Sequence, residues 1–392
     1  MIDRRLKQLR LARGFSLEEL VAKTGGIVTK QALSKYEKGQ MHPSPTVLNR
    51  LAEALNTKAA NLLREPKVSI EVIAFRKASR LPKKELARVE SYVRNALEER
   101  VELQELTGST LSEDIGGRLP VRTLAIRKLE DVEIAAEKLR NNWGLGLNEI
   151  SSMTETLENH SVHVIEINTP YKLDGVAAVA STGRNRVKAA AVANKAGVPG
   201  ERQRLNLAHE LGHLVLDISG NVDEEKAAFR FGAAFLAPAE VLRKEVGSKR
   251  AFIQSEELFM LKQKFGLSIA ALLYRLRDLE VISESYYRGW CMDINNLGWK
   301  QREPNEIQPE QSNWVRRIVL RSLSEGLLTA DEATGLLGTT VKCDEPLSLM
   351  EKKAFLRLPL EERRKRLAEQ AAKFASIYEG KEVEGVGGGD FE

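Results

Sequence analysis

The chain of 392 residues is poor in the features that build disulfide frameworks and membrane spans. Its two cysteines, Cys291 and Cys343, are too far apart to indicate a disulfide framework and are not spaced as a metal-binding pair, so we expect two free thiols. No apolar run approaches the roughly 18 residues that a membrane helix needs, and the N-terminus has no apolar signal-peptide core. These absences predict a cytoplasmic protein without a membrane partner.

Histidine is also scarce, with five in the whole chain, yet two of them form the pattern His209-Glu210-x-x-His213 within an apolar, helix-favouring run. Residues four apart share one face of a helix, so both imidazoles can bind a single Zn²⁺ while Glu210 reaches a metal-bound water. This arrangement is typical of a hydrolase. The alternative is a pair of buried histidines on an ordinary core helix.

Two histidines and a water leave one zinc ligand to be found. The longer pattern with a third histidine is absent, because Ser219 stands at that position. Asp223, Glu224 and Glu225 begin a second apolar run, and a carboxylate there would complete a site with two histidines, one carboxylate and an open water position. The same acids would also be favoured by the dipole of a helix N-terminus. The residues alone leave the choice among the three open.

Positive charge is concentrated at the start of the chain. Residues 1–67 contain 13 Lys or Arg and 6 Asp or Glu, whereas the remainder is slightly acidic. A basic module of this kind is typical of polyanion-binding domains. Apolar spacing and capping signals predict five short helices here, with Ser16 and Glu19 forming a capping box at the second and a last turn over Ala59 to Leu63.

The segment from Thr24-Gly25-Gly26 through a third helix to Gly39 resembles the helix-turn-helix domain of the Cro/phage-repressor class, the XRE family. The resemblance implies that the third helix enters the major groove of a double-stranded DNA operator, generally as a homodimer. The residues expected to face DNA are Thr29, Lys30, Gln31, Ser34 and Lys35. Gln31 suits adenine and the lysines suit phosphate or guanine, whereas Leu33 and Tyr36 are expected in the core. A module used only for dimerisation is the alternative.

Several spaced motifs in the second half agree in order with one known family. They are Pro199–Arg204, Ala208–His213, Glu225-Lys226-x-Ala228 and Phe235-Leu236-x-Pro238, and together they resemble the ImmA/IrrE family of zinc peptidases over about residues 120–340. The resemblance implies that Glu225 is the third zinc ligand, beside His209 and His213, and that Glu210 is the catalytic general base. It also implies a transcriptional repressor as the protein substrate.

We therefore predict a multidomain chain in which an all-α helix-turn-helix head precedes an α+β zincin-like metallopeptidase domain and a helical C-terminal region. The predicted boundaries are 1–67 for the DNA-binding domain, 68–118 for a helical connector, 119–245 for the peptidase domain, 246–343 for a helical accessory region and 344–392 for a charged C-terminal helix with a disordered tail. Strands are predicted at 162–167, 175–180 and 187–193.

Four other polar side chains lie near these strands and the predicted zinc helix. His160 and His163 flank the first predicted strand and are expected to be ordinary hydrogen-bonded histidines rather than ligands. Arg202 and Arg204 precede the zinc helix, and the sequence leaves open whether they contact substrate or solvent.

Three functions remain open at this point. The first is a DNA-tethered zinc peptidase that cleaves a repressor or itself, and the second is a transcriptional regulator whose zinc fold is a sensor or scaffold. The third is an antitoxin whose C-terminal helix binds a toxin partner. Glu210 favours the first over the second, because a purely structural metal site needs no general base.

Overall fold

The computed structural model describes residues 2–65, 67–75, 81–108, 121–182, 186–341, 358–365 and 368. The chain divides into two compact units, Met1–Thr329 and Ala330–Glu392. Among the helices in the described ranges, none is both long and apolar enough to cross a membrane. The predicted boundary near residue 118, the thiol of Cys343 and the predicted disordered tail lie outside the described residues.

The first unit contains helices and strands in mixed order. Its elements are α1 (Ile2–Ala12), α2 (Leu17–Lys23), α3 (Lys30–Glu37), α4 (Pro45–Ala54), α5 (Ala59–Leu63), β1 (Ser69–Phe75), α6 (Lys83–Leu106), β2 (Leu124–Ile126), α7 (Asp131–Asn142), α8 (Met153–Asn159), β3 (Val162–Ile167), β4 (Val176–Thr182), β5 (Arg186–Lys195), α9 (Gly200–Val215), β6 (Leu216–Ile218), α10 (Glu224–Leu236), α11 (Ala239–Val246), α12 (Ser255–Phe265), α13 (Ile269–Asp278), α14 (Glu284–Asn296) and α15 (Trp314–Ser324).

The second unit is described by fewer residues. It contains α16 (Ala330–Leu337), after which the backbone N–H of Val341 donates to the hydroxyl of Thr334. Residues 360–365 are helical, in agreement with a helix starting after Pro359.

The head formed by α1 to α5 agrees with the sequence-based prediction. The Ser16 side chain accepts from the N–H of Glu19 while the Glu19 carboxylate accepts from the N–H of Ser16, so the predicted capping box is confirmed. Leu33 and Tyr36 of α3 are buried in an apolar cluster with residues of α1, α2, α4 and α5, also as predicted. This core fixes the exposed face of α3 relative to the other helices.

The described residues form a four-stranded sheet with the order β1-β4-β5-β3. β3 is parallel to β5, whereas β4 is antiparallel to β5 and β1 is antiparallel to β4. The predicted strand at 162–167 is confirmed as β3, and the ends of β4 and β5 differ from the prediction by one or two residues. A separate pair of short parallel strands, β2 and β6, was not predicted, because three residues are too few for a period to be recognised.

The segment predicted as a helical connector contributes to the body of the first unit. Its strand β1 forms one edge of the sheet, and α6 buries Val89, Val93, Leu97 and Val101 against the sheet face opposite α9. One charged residue of α6, Glu98, is buried and accepts a hydrogen bond from Arg5 of the head. α6 is therefore a packed layer between the head and the sheet.

The N-terminal turns of α9 are fixed by a segment that runs over residues 303–312. The N–H of Gly200 donates to the carbonyl of Ile307 at 2.8 Å, and Gln203 exchanges two hydrogen bonds with the backbone of Glu310. An added Cβ at Gly200 would lie 2.4 Å from the carbonyl oxygen of Gln308, so only glycine permits this approach. The segment consequently holds α9 in one position.

The sequence left open whether Arg204 contacts substrate or solvent, and the structure shows that it does neither of these. Its guanidinium is buried and donates to the carbonyls of Ile150 and Ser151 and to the carboxylate of Glu310, so it is structural. Burial raises the pKa of Glu310, but the Arg204 charge and the N–H groups of Thr154 and Met153 lower it further, and the net pKa is below its usual value. By contrast, Arg202 is half exposed and lies 3.5 Å from Asp174.

A buried charge cluster lies beside this segment and predicts a stability effect. Lys262 is fully buried and its ammonium lies 2.8 Å from Glu201 and 2.9 Å from Glu303. We expect Lys262→Met to lower the free energy of unfolding by about 3–5 kcal/mol, because two buried carboxylates lose their counter-charge. Urea denaturation followed by circular dichroism measures this change.

Lys264→Met on the same helix is the matched control. Lys264 pairs with Glu245 at a more exposed position, so its loss should change stability far less than the loss of Lys262. Equal effects of the two substitutions would contradict the importance of the buried cluster.

Candidate metal centre

The helices α9 and α10 approach closely because glycine stands on both sides of their contact. An ideal Cβ on Gly212 would lie 3.2 Å from the α-carbon of Ala228, and one on Gly232 would lie 3.0 Å from the backbone nitrogen of His209. Both neighbours are backbone atoms and cannot move independently of their helix. The missing side chains therefore set the helix separation, and through it the distance between side chains of α9 and α10.

His209 and His213 lie one turn apart on α9 and point to the same place. Both are buried, with exposed fractions of 0 % and 5 %, and their Nε2 atoms are 3.1 Å apart. At Zn–N bond lengths of about 2.0–2.1 Å, two ligands at the tetrahedral angle lie roughly 3.3 Å apart. The spacing of the two nitrogens therefore fits a shared metal ion.

The three acids at the start of α10 occupy three different positions. The carboxylate of Glu225 lies 3.5 Å from Nε2 of His209 and 3.6 Å from Nε2 of His213. Glu224 lies 3.4 Å from Nδ1 of His213, the other ring nitrogen, and Asp223 accepts the N–H of Lys226 as the helix cap. Of the three acids, only Glu225 lies near the two Nε2 atoms of His209 and His213, which face each other.

The resulting group of His209, His213 and Glu225 has the composition of a metal site. Their candidate ligand atoms all lie within 4.8 Å of one another, and among the described residues no other group of three or more such side chains has this spacing. Two imidazoles and one carboxylate are the donor set of catalytic zinc sites that keep an open coordination position. The donors present in the chain therefore fit a divalent metal of this kind.

Glu210 is buried beside this group, with an exposed fraction of 1 %. It lies against Gly175, the residue before β4, where an ideal Cβ would be only 2.1 Å from Oε1 of Glu210. Any side chain at position 175 would therefore displace the carboxylate. Gly175 is the first residue of the strand predicted at 175–180, and a lone glycine gives no signal of a side chain that packs on it from a distant helix.

Phe229 of α10 forms another wall of the site, since its ring centroid lies 4.4 Å from that of His209. His160 and His163 are not part of the centre. His160 bonds the carbonyl of Thr156 and stacks on Trp143, as expected for an ordinary histidine. The expectation is wrong for His163: neither ring nitrogen has a hydrogen-bond partner among the described residues, and burial lowers its pKa well below the usual value.

The residues predicted to face DNA lie on α3 or at its N-cap. Four of them are exposed, namely Thr29, Lys30, Gln31 and Lys35, and Ser34 is half-buried. The hydroxyl of Thr29 caps the helix by accepting the N–H of Ala32, and Lys30 forms an ion pair with Glu18. Gln31 and Lys35 lie one turn apart, as a groove-facing pair requires.

Comparison with known families gives two matches that cover these two regions. Residues 6–62 match the helix-turn-helix family model, and residues 191–277 match the peptidase M78 family model, described as the IrrE N-terminal-like domain. Comparisons with curated proteins and with solved structures found no match.

The second matched range contains α9 and α10 with all the side chains of the candidate metal centre. The protein is therefore of the class that joins a DNA-binding type of helix-turn-helix domain to a metallopeptidase-like domain of α+β fold. This order of domains matches the ImmA/IrrE architecture that the sequence motifs predicted.

The close approach of α9 and α10 leads to a prediction about metal affinity. Gly232→Ala should force the two helices apart at His209 and weaken zinc binding at least tenfold, about 1.4 kcal/mol. In an ordinary helix interior the same change would be stabilising, because alanine has the better helix propensity. Competition with a chelating zinc indicator measures the affinity.

Gly289→Ala in α14 is the control, because no described atom beyond its chain neighbours and the backbone of its own helix lies within 4 Å of its ideal Cβ. We expect it to leave zinc affinity unchanged. A folded Gly232→Ala protein with the affinity of the parent would show that helix separation does not set the ligand geometry.

Proposed function

We propose that the protein is a DNA-tethered zinc peptidase that cleaves a repressor protein, or its own chain, by hydrolysis. The observation that supports this most directly is the meeting of His209, His213 and Glu225 beside the buried carboxylate of Glu210. A site that only stabilised the fold would be closed and would not need a buried carboxylate next to its ligands.

Zinc at this centre would be held by His209, His213 and Glu225 and, when bound, would polarise a peptide carbonyl and acidify water. The carboxylate of Glu210 accepts the proton of the attacking water and returns it to the leaving amide nitrogen. Its burial against Gly175 keeps bulk water from competing for that proton.

Glu224 has a positioning role in this proposal. Its carboxylate lies 3.4 Å from Nδ1 of His213, where it accepts the ring N–H and leaves the lone pair on Nε2 directed at the metal position. An outer carboxylate of this kind fixes both the tautomer and the orientation of a ligating imidazole.

The head supplies the tether to DNA. The exposed Gln31 and Lys35 on α3 are placed to read and hold a double-stranded operator, with a homodimer reading two half-sites. The head is tied to α6 by ion pairs from Arg5 to Glu98 and from Arg64 to Glu102. A repressor bound at the same operator is the substrate that this arrangement favours, because tethering raises its local concentration.

No observation on the described residues favours the toxin-binding alternative. The C-terminal helix on which it rested is described only over residues 358–365 and 368. The non-catalytic regulator is the alternative that the following experiment separates from the peptidase.

We expect Glu210→Gln to lower the rate of cleavage of a repressor encoded beside the gene by about 10²–10⁴-fold, because glutamine cannot accept the proton. Zinc content should stay at the parental value, since the ligands remain. Intact-mass spectrometry of the repressor and of the chain itself measures the products, with metal analysis of both proteins.

The matched pair Glu225→Ala and Glu224→Ala tests the ligand set. The first should lose zinc, whereas the second should retain it with affinity reduced by about 10–100-fold. Zinc loss in Glu224→Ala but not in Glu225→Ala would reverse the two roles. Operator binding without cleavage by the zinc-loaded parent protein would support the regulator instead.

Substitutions on α3 test the proposed DNA binding. Gln31→Ala should weaken operator binding by about 1–3 kcal/mol and relax sequence preference, whereas Lys35→Ala should weaken all sequences alike and reduce the salt slope by about 1. Fluorescence anisotropy over a range of salt concentrations measures both effects. Lys300→Ala is the control, because Lys300 is exposed and its loss removes one positive charge far from the head in sequence. If all three variants bind DNA like the parent protein, α3 is not the helix that reads the operator.

A further inference from the structure

One edge of β4 leads directly to Glu210. β4 begins at Val176, the residue after Gly175, and the backbone of Gly175 lies against the Glu210 carboxylate. The other edge of β4 is paired with β5 inside the sheet. An extended peptide that binds the first edge by main-chain hydrogen bonds would therefore run toward the group that we propose as the general base.

The chain already fills this edge with its own strand β1. The antiparallel pairing runs from Ser69 opposite Ser181 to Phe75 opposite Val176. The C-terminal end of β1 is thus the end nearest to Gly175, and β1 also contacts α9. The backbone groups of β4 that a bound peptide would use are those that β1 uses.

β1 is held less firmly than the strands beside it. The side chains of Ile70, Val72 and Ile73 are only half-buried and Glu71 is exposed, whereas β4 and β5 consist largely of fully buried residues. The pairing with β4 is also irregular between Val72 and Ala74. An edge strand with few buried contacts opens locally at a lower free-energy cost than a central strand.

We propose that β1 is an internal occupant of the peptide-binding edge of this site, and that a substrate binds by displacing it. The partner that fits is an extended peptide with apolar residues at alternate positions, because it must replace Ile70 and Val72 on one face and main-chain hydrogen bonds along β4. In this role β1 would regulate access to the proposed peptidase site, which makes the proposal dependent on the peptidase function.

A reversible covalent lock tests the displacement. Glu71 and Val179 are direct cross-strand partners, so Glu71→Cys with Val179→Cys allows a disulfide that holds β1 on β4. The two single substitutions control for the native thiols, and loss of two hydrogen masses verifies the bond. The variants are made in the full-length Glu210→Gln chain, so that binding is measured without cleavage.

The probe is a fluorescent synthetic peptide with the sequence of Lys67–Phe75, followed by anisotropy. We expect the reduced double-cysteine protein to bind it at least tenfold more tightly than the oxidised protein. Val72→Ser should strengthen peptide binding several-fold, because it removes half-buried apolar packing of β1. Glu71→Ser should not, because the side chain of Glu71 is exposed. Equal binding in the oxidised and reduced states, or no binding in either, would overturn the proposal.

A cleavage assay distinguishes the proposed role of β1 from the proposed peptidase activity. The same lock in a chain with Glu210 intact should slow repressor cleavage at least tenfold when oxidised and restore it on reduction. Unchanged cleavage in the oxidised protein overturns the role of β1 and leaves the peptidase in place. Lock-dependent peptide binding with no cleavage by the reduced, zinc-loaded protein refutes the peptidase and retains β1 as the occupant of a peptide-binding edge.

Discussion

The close packing of α9 on α10 is the constraint on which the candidate site depends. Gly212 and Gly232 lack the side chains that would keep the two backbones apart, and Glu225 reaches the pair of histidines only at this separation. The positions of the histidines follow from one helix, but the position of the carboxylate follows from the contact between two. A small change at either glycine would therefore alter the candidate metal centre without replacing any of its candidate ligands.

The rest of the first unit holds α9 in its place. The 303–312 segment fixes its N-terminal turns through Gly200 and Gln203, and β6 continues directly from its C-terminal end into a pairing with β2. On the other face of the sheet, α6 packs as a layer and carries the contacts with the head. The proposed DNA-binding and peptidase functions are thereby connected through packed elements, and β1 lies in the chain between them.

Several local features were predictable because neighbouring residues decide them. The capping box of Ser16 and Glu19, the burial of Leu33 and Tyr36, and the strand at 162–167 all follow from spacing along a single element. Arg204 could not be assigned, since its partners stand more than fifty residues away in sequence. For the same reason, hydrophobic spacing in α6 predicted a helix but not the sheet face on which it packs.

The sequence by itself determined the spacing of His209, Glu210 and His213, because one turn of a helix suffices to put the two imidazoles on one face. It also determined the helix-turn-helix head, whose caps and apolar periods are local. Only the tertiary structure decided that Glu225 and Glu224 lie at different nitrogens, that Gly175 makes room for Glu210, and that β1 occupies the edge of β4. Each of these depends on the approach of segments distant in sequence, and a linear pattern of residues carries no measure of that distance.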